Sequence, residues 1–413
     1  MTHASLPHEL ALQGVDGGTI ILVVLDGLGG LPHPNTGRTE LESASTPNLD
    51  ALAARSSLGM IVPVAHGVTP GSGPGHLALF GYDPLKYIIG RGALEALGID
   101  VALEPGDVAA RGNYCKVDSA GALVDRRAGR ISTELSAPLC RLLDRIELEG
   151  VQLDVYPVQD YRFVLRIRGE GLSEALSETD PQQTGVPPLL VEPLNAEAEK
   201  TATLVNDFVA QSGQLLAEED RANMVLLRGF AQLPSLPPMG QVYQLDPVGI
   251  AAYPMYRGLA TVAGMRVIPT GTTFADEVET LRQNYKDHDF FFIHYKPADT
   301  AGEDGDFDAK VKRLEELDPL ILQIRELEPD VLVVAGDHAS PAVMAGHSWH
   351  SVPLMIHSRW TRGEGIPEFN ERACSQGSIG RIPATQVTRS PAPSWRSVRA
   401  STWMRQSMPA ARA

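Results

Sequence analysis

Three apolar runs along the chain each end next to acidic or imidazole side chains. The runs are Thr19–Leu25, Phe290–Ile293 and Val331–Ala335. Their residues do not alternate with polar ones, which predicts strands buried on both faces of a parallel sheet. In open α/β sheets, ligands bind outside the carboxyl ends of such strands. The hydrophobic pattern therefore predicts both a sheet and the edge at which a site should lie.

The residues after these runs offer metal-binding chemistry. They are Asp26 after the first run; His294, Lys296, Asp299 and Glu303 after the second; and Asp337, His338 and His347 after the third. Carboxylates mixed with imidazoles suit manganese or zinc better than magnesium. Ser72 lies in the glycine-rich segment 69–76, where a helix begins that runs through Phe80. Two cations can activate such a hydroxyl and neutralise a phosphoryl group, so the set predicts two divalent cations beside a nucleophile.

Other patterns outline the remaining architecture. Proline at position 47 after Thr46 predicts a helix start with Thr46 as its N-cap. A second long helix is predicted over Phe307–Leu327, with a regular apolar face. Between about Glu104 and Pro238 the chain changes to short alternating strands and turns, with one helix over Ala196–Leu216. This change predicts an inserted module.

The predicted fold class is α/β, with a mostly parallel sheet flanked by helices and an inserted α+β domain. Residues 15–100 and 240–385 are expected to form the first domain, and residues 101–239 the insertion. Arginine, serine and proline accumulate after Gly380, and no acidic residue follows Gln386. That composition predicts a disordered or aberrant tail over residues 386–413, without helical periodicity.

Composition narrows the class of protein. With 413 residues, 43% of them hydrophobic, the chain can bury a large core. The net charge of −16 disfavours nonspecific binding to nucleic acid or to anionic membranes. No apolar run is long enough to cross a bilayer, and residues 1–18 do not combine a basic start with an apolar core, so a secretory signal is not expected there. The three cysteines, Cys115, Cys140 and Cys374, are odd in number and far apart, which favours a reducing cytoplasm.

Taken together, the motifs resemble a known family. Leu25–Gly27, Thr46–Leu49, the glycine-flanked Ser72 and Gly336–His338 resemble the alkaline phosphatase superfamily. Four further segments resemble the archaeal-type, cofactor-independent phosphoglycerate mutases, in the variant also found in bacteria: Phe80–Pro84, Asp125–Arg130, Tyr253–Gly258 and Gly302–Phe307. The resemblance extends from about Thr19 to Gly380, and the motifs are specific jointly rather than singly.

The resemblance implies an isomerase that interconverts 2- and 3-phosphoglycerate in glycolysis and gluconeogenesis. It implies one metal held by Asp26, Ser72, Asp337 and His338, and another held by Asp299, position 303 and His347. Ser72 would accept the phosphoryl group as phosphoserine while the inserted module retains glycerate, so 2,3-bisphosphoglycerate would not be needed. Manganese is the favoured ion, and magnesium, cobalt or zinc are compatible.

The chain departs from the family pattern at two places. Position 303 is Glu where the family usually has His, which makes the second metal site harder and more manganese- or magnesium-like. The family also ends in an apolar, alanine-rich helix, whereas this chain ends in the arginine-rich tail.

Several cations are candidates for binding the substrate, because arginine suits bidentate contact with carboxylate or phosphate. They are Arg127, Arg130, Arg162, Arg228, Arg257 and Lys296. The usual alternative is that such arginines lie on a solvated surface and bind no ligand. His347 is preferred to His350 as a ligand, whereas His76 and His294 are equally compatible with structural roles.

Two other functions remain open on the sequence alone. A phosphatase or phosphodiesterase of the same superfamily would pass the phosphoryl group to water. A catalytically silent phosphometabolite-binding protein would keep the site without turnover, as Glu303 and the unusual tail could suggest.

Overall fold

The computed structural model describes residues 18–389, which form two compact units. One contains the described residues of Met1–Ile88 and Leu236–Ala413, and the other is Ile89–Ser235. The inserted unit begins before residue 101, where the sequence placed its start, because the helix Arg91–Leu97 packs on that unit's sheet.

The strands are numbered in chain order. They are β1 Ile20–Leu25, β2 Ser57–Val62, β3 Val108–Val117, β4 Leu123–Asp125, β5 Gln152–Pro157, β6 Arg162–Arg168, β7 Met224–Ala231, β8 Pro247–Ile250, β9 Arg266–Val267, β10 Phe290–Tyr295, β11 Val331–Ala335, β12 Val352–Ser358 and β13 Gly380–Pro383.

The α-helices are numbered in the same way. They are α1 Glu40–Ser43, α2 Pro47–Ala53, α3 Ser72–Leu79, α4 Arg91–Leu97, α5 Thr133–Leu143, α6 Glu199–Leu215, α7 Met239–Tyr243, α8 Pro254–Val262, α9 Phe274–Asn284, α10 Pro297–Glu303, α11 Phe307–Arg325, α12 Glu371–Cys374 and α13 Thr385–Arg389. Among residues 18–389, no helix combines the length and apolar character needed to span a membrane.

The first unit is built on an eight-stranded sheet in the order β13-β2-β12-β11-β1-β10-β8-β9. β1 lies between β11 and β10 and runs parallel to both, while β12 is antiparallel to its two neighbours. Every residue of the three central strands β1, β10 and β11 is buried, as the uninterrupted apolar runs predicted. The predicted α/β class with a mostly parallel sheet is therefore confirmed, and the carboxyl ends of β11, β1 and β10 meet at one edge.

The second unit contains a five-stranded antiparallel sheet. Its order is β4-β3-β6-β5, with β7 paired to β3. Helices α5 and α6 pack on this sheet, and their apolar side chains share a core with strand residues such as Phe163 and Leu227. The alternating apolar pattern of β6 places one face in this core, which is why a two-residue period was visible in the sequence.

Two local predictions need correction. Thr46 occupies the N-cap position of α2, but its hydroxyl makes no capping hydrogen bond. The carboxylate of Asp318, from α11, instead accepts hydrogen bonds from the N–H groups of Asn48 and Leu49. The second correction concerns the tail predicted to lack helical periodicity. Regular structure continues beyond Gly380 in β13 and α13, and Val387 is buried. The remainder of the predicted tail, residues 390–413, lies outside the described residues.

Candidate active site

Three neighbouring strands deliver the acidic and imidazole groups to one edge of the first unit's sheet. Asp26 follows β1 directly, Asp337 and His338 follow β11, and Asp299 lies in the helix that follows β10. All four side chains are buried. The backbone N–H of Asp26 donates to the carbonyl of Tyr295, which fixes the register of these strand ends (2.9 Å). Parallel pairing thus brings together residues that lie about 300 positions apart in the chain.

Asp26, Asp337 and His338 form the first potential ligand group, with one ligand atom from each within 4.8 Å of the others. His338 Nε2 lies 3.2 Å from Asp26 Oδ1, from Asp337 Oδ2 and from Ser72 Oγ. Despite these short distances, Asp26 Oδ1 and Asp337 Oδ2 are buried without a hydrogen bond. Buried carboxylate oxygens without a donor are costly unless a cation completes their environment.

Asp299, His338 and His347 form the second potential ligand group. His347 Nε2 lies 3.4 Å from Asp299 Oδ1 and 3.2 Å from Glu303 Oε1, and it too is buried without a hydrogen bond. The Glu303 side chain is 51% exposed, so it approaches the group from the solvent side. His350 lies apart from this group, with its ring stacked on Trp349 and its Nδ1 3.1 Å from Ser348 Oγ.

Ser72 is the first residue of α3, and Gly71 is the N-cap. The N–H groups at this helix start can bind an anion next to the hydroxyl. Nδ1 of His76, one turn later, donates to the carbonyl of Ser72 (2.8 Å). Gly75 allows α3 to approach the end of β11, because a Cβ at Gly75 would lie 2.4 Å from the carbonyl oxygen of Asp337.

A cation and two rings surround Asp26 on its other side. Lys296 forms ion pairs with Asp26 (3.2 Å) and with Asp299. Tyr256 donates its hydroxyl to Asp26 Oδ2, and its ring stacks on His294 at 3.4 Å. The sequence left His76 and His294 undecided, and the structure brings both rings into this cluster, with centroids 5.2 Å apart.

Neighbouring charges keep the carboxyl group of Asp299 ionised despite its burial. Burial acts to raise the pKa of Asp299, but contacts with His347 and Lys296 outweigh it and lower the pKa to about 2. Burial also opposes protonation of His347, yet the carboxylates of Asp299 and Glu303 raise its pKa to about 10. Burial lowers the pKa of His294 to about 4, so this ring is neutral near pH 7.

This donor set fits divalent cations. Carboxyl and imidazole groups face one another at ligand spacing, and three of their atoms have no hydrogen-bond partner. Oxygen and nitrogen donors together match manganese or zinc better than a hard cation that prefers oxygen alone.

The second unit contains a separate cationic cavity of about 170 Å³. It is lined by Arg91, Arg111, Asn113, Arg126, Arg127, Tyr161 and Arg228. Arg111 Nε and Asn113 Oδ1 are buried there without hydrogen bonds. The buried carboxylate of Asp180 holds the Arg126 guanidinium at 2.7 and 2.8 Å. Such a cavity suits a small anion that also carries hydroxyl groups.

The structure separates the predicted substrate cations. Arg127 and Arg228 line the cavity, whereas Arg130 is exposed at the end of a 3₁₀ turn. Arg162 lies 3.5 Å from Glu95. Arg257 belongs to the first unit, where it donates to the carbonyl oxygens of Ala251 and Ala252. Lys296 is the one predicted substrate cation found among the metal-ligand candidates.

Sequence reasoning missed Arg91, Arg111 and Asn113. A signal was available for two of them, because Arg111 and Asn113 are polar residues two positions apart in strand β3, directly after three apolar residues. Two-residue spacing places both on one face of the sheet. Arg91 carries no comparable signal, since it is an arginine at the start of an ordinary helix.

Comparisons with known proteins identify the family of this chain. The family model of 2,3-bisphosphoglycerate-independent phosphoglycerate mutase matches residues 53–221. A relative from Thermotoga maritima, called a probable 2,3-bisphosphoglycerate-independent phosphoglycerate mutase, is 48% identical over 370 residues, covering 89% of this chain and 92% of the relative. A relative of the same name from Thermus thermophilus is 47% identical over 375 residues, with the same coverage.

Solved structures point in the same direction. The cofactor-independent phosphoglycerate mutase of Thermoplasma acidophilum has a TM-score of 0.73 and 26% identity, covering 90% of this chain and 98% of its own. A protein from Pyrococcus horikoshii has a TM-score of 0.76 and 27% identity, covering 91% and 96% of the two chains.

Proposed function

Since the chain belongs to the 2,3-bisphosphoglycerate-independent phosphoglycerate mutase family, we propose that it interconverts 2- and 3-phosphoglycerate through a phosphoserine at Ser72. The observation that carries this proposal is the position of the Ser72 hydroxyl. It lies at a helix N-terminus, 3.2 Å from His338 Nε2, the same nitrogen that lies 3.2 Å from two carboxylate oxygens without a hydrogen bond.

We propose that two divalent cations bind here. Asp26, Ser72, Asp337 and His338 would hold one, and Asp299, Glu303 and His347 the other. When bound, such ions lower the pKa of a coordinated hydroxyl and neutralise charge on a transferring phosphoryl group. Manganese is the favoured ion, because the site mixes imidazole with an excess of carboxylate. The exposed Glu303 can supply oxygen where the family usually supplies nitrogen.

Ser72 acts as the nucleophile in the first step. Its Oγ loses its proton and forms a bond to phosphorus as the bond from phosphorus to the substrate's ester oxygen breaks. That oxygen leaves on the glycerate and takes up a proton, which balances the proton lost by Ser72. In the second step, the neighbouring hydroxyl of glycerate loses its proton and attacks the phosphoserine, the bond between phosphorus and Ser72 Oγ breaks, and Oγ regains a proton. Each in-line displacement inverts phosphorus, so the overall reaction should proceed with retention.

Two other side chains hold the nucleophile's surroundings in place. The carboxylates of Asp26 and Asp299 raise the pKa of Lys296 despite its burial, so its ammonium remains a fixed cation for phosphate oxygens. Burial and the charge of Asp26 raise the pKa of Tyr256, so its hydroxyl keeps its proton and orients Asp26 by donating to it.

The arginine cavity of the second unit is proposed to bind the carboxylate and hydroxyl groups of the substrate. Arg127 and Arg228 belong to the cations predicted to bind the substrate. Arg111 Nε and Asn113 Oδ1 add buried polar atoms that make no hydrogen bond within the protein. Retention of glycerate distinguishes a mutase from a hydrolase, because a hydrolase can release its alcohol after the first step.

The compartment is proposed to be the cytoplasm. Cys115, Cys140 and Cys374 are buried free thiols, and a reducing compartment preserves such thiols.

An assay with purified protein, 3-phosphoglycerate, enolase coupling and a manganese titration tests the proposal. Turnover is expected without added 2,3-bisphosphoglycerate, and Ser72→Ala should abolish it while largely preserving bound metal. Ser43→Ala, which removes another helix-terminal hydroxyl, is the control and should retain activity. Release of inorganic phosphate without isomerisation would instead identify a hydrolase, and substrate binding without any turnover would identify a silent binding protein.

A further inference from the structure

A fully buried lysine lies behind the metal-ligand candidates. Lys310, from α11, has no solvent exposure. Its ammonium donates to three backbone carbonyls: Gly27 (2.9 Å), Gly29 (3.0 Å) and Ser340 (2.8 Å). An ammonium has three donors and no acceptor, so these three carbonyls satisfy it completely.

The three carbonyls belong to the two turns that carry the ligand candidates. Gly27 directly follows Asp26, and Ser340 lies two residues after His338. The same turns are also joined directly, because Ser340 N donates to the Gly29 carbonyl (3.1 Å). Lys310 therefore links the end of β1 to the end of β11.

Ser340 carries this link on to the second ligand group. Its hydroxyl donates to Asp299 Oδ1 and lies 3.1 Å from His338 Nδ1. A change in the position of the Ser340 backbone would therefore move both the carboxylate and the imidazole.

Burial of this charge needs a reason beyond stability. The nearest carboxylate, Glu40, lies 4.0 Å from the Lys310 nitrogen and is itself buried. An apolar side chain of similar length could fill this volume without the desolvation cost of an ammonium. What an apolar side chain cannot do is draw three carbonyl oxygens from two turns toward one point.

We propose that Lys310 is a positioning residue for the metal site, whose ammonium clamps the turns after Asp26 and His338 at the spacing that bound cations require. The inference rests on the proposed function, because it presupposes that these side chains bind metal. Lys310 itself touches neither substrate nor cation.

The test has two parts. Manganese is titrated into metal-free protein and its binding is measured by calorimetry, and turnover is then measured as a function of manganese concentration. Lys310→Met is expected to bind manganese at least tenfold more weakly, with turnover largely recovered at saturating manganese. Lys310→Gln, which keeps two donors without the charge, should lie between Lys310→Met and the native protein, and it also serves if the methionine variant fails to fold.

Asp318→Asn is the matched control. Asp318 is another buried charge on α11, and its carboxylate binds backbone N–H groups of α2 rather than a ligand-bearing turn. It should lower the unfolding temperature without changing manganese affinity. Lys310 variants that lose stability but bind manganese as the native protein does would overturn the proposal.

Asp337→Asn separates this proposal from the proposed function. If native protein binds manganese and Asp337→Asn weakens that binding, the metal site stands whatever the Lys310 variants show. If Asp337→Asn leaves manganese binding unchanged, the ligand assignment itself fails.

Discussion

Single side chains in this site are defined by what they lack as much as by their contacts. Asp26 Oδ1 and Asp337 Oδ2 in the first ligand group, and His347 Nε2 in the second, are buried without hydrogen bonds. Among other buried charges of the unit, Asp318 and Lys310 are hydrogen-bonded, whereas Glu40 Oε2 is not. What distinguishes the proposed cation sites is that unsatisfied atoms coincide with ligand spacing, which supports them more strongly than the presence of acidic residues alone.

Glu277 gives a prediction at the residue scale. Burial raises its pKa to about 8 from an ordinary 4.5, although its carboxylate accepts hydrogen bonds from the N–H groups of Ala252 and His294. Between pH 4.5 and 8 the folded protein keeps a proton that the unfolded chain releases. Stability should therefore fall as pH rises through this window, by at most about 1.4 kcal/mol per pH unit from this group.

Glu277→Gln removes this titration. Urea unfolding of both proteins between pH 5 and 8, with a chelator present, should give a flatter pH dependence for the variant. Glu371, whose pKa burial raises to about 6, contributes similarly to both proteins below that pH and cancels in the comparison. Parallel curves for the two proteins would contradict the assignment.

At the scale of elements, the sequence predicted what depends on local pattern. The strands β1, β10 and β11 and the helix α11 were predicted close to their observed bounds. The reason is that the apolar positions of each element follow directly from which of its side chains are buried. The helix predicted over Ala196–Leu216 was also close to the observed one. Its first turn, Ala196–Ala198, is 3₁₀, and α6 continues over Glu199–Leu215.

Contacts between distant elements could not be predicted. The cap of α2 comes from Asp318, about 270 residues away, so the local Thr46 signal was misleading. The arginine cavity needed the pairing of β3 with β7 to bring Arg111 opposite Arg228. Lys310 lies four positions before Leu314 on the apolar face of α11, but a lysine is ordinarily at the surface, so its burial was not predicted.

Gly302 gives a prediction at the scale of elements. It lies in α10, and a Cβ there would stand 2.1 Å from the carbonyl oxygen of Ser340. Gly302→Ala should force α10 away from this turn, costing about 1–3 kcal/mol despite alanine's better helix propensity. Because α10 carries Asp299, manganese affinity should fall as well.

Gly346→Ala is the matched control for this substitution. The nearest atom to its added Cβ would be the Met344 carbonyl oxygen, at 4.0 Å. Urea unfolding and a manganese titration of both variants give the comparison. Equal stability of the two alanine variants would show that the close approach of Gly302 is not required.

At the scale of the whole molecule, an acidic protein must bind an anionic substrate. The net charge is −16, yet Lys296 and the arginines around Arg111 concentrate positive charge in small regions. Cation binding would further reduce the repulsion among the buried carboxylates of Asp26, Asp299 and Asp337.

Metal binding should therefore stabilise the folded protein. A ligand at one hundred times its dissociation constant adds about 2.7 kcal/mol per site, so saturating manganese should raise the unfolding temperature by roughly 5 °C or more over chelated protein. Asp337→Asn should show a smaller rise. Identical unfolding temperatures with chelator and with manganese would mean that these carboxylates do not form a metal site.

The most direct test of the central claim is the identification of the phosphorylated residue during turnover. Native protein with manganese and 3-phosphoglycerate labelled with ³²P would be quenched in acid, digested and mapped by mass spectrometry. The account predicts label on the peptide containing Ser72, at Ser72 itself, and none in Ser72→Ala. Rapid isomerisation with no label on Ser72, or with label on another residue, would contradict it.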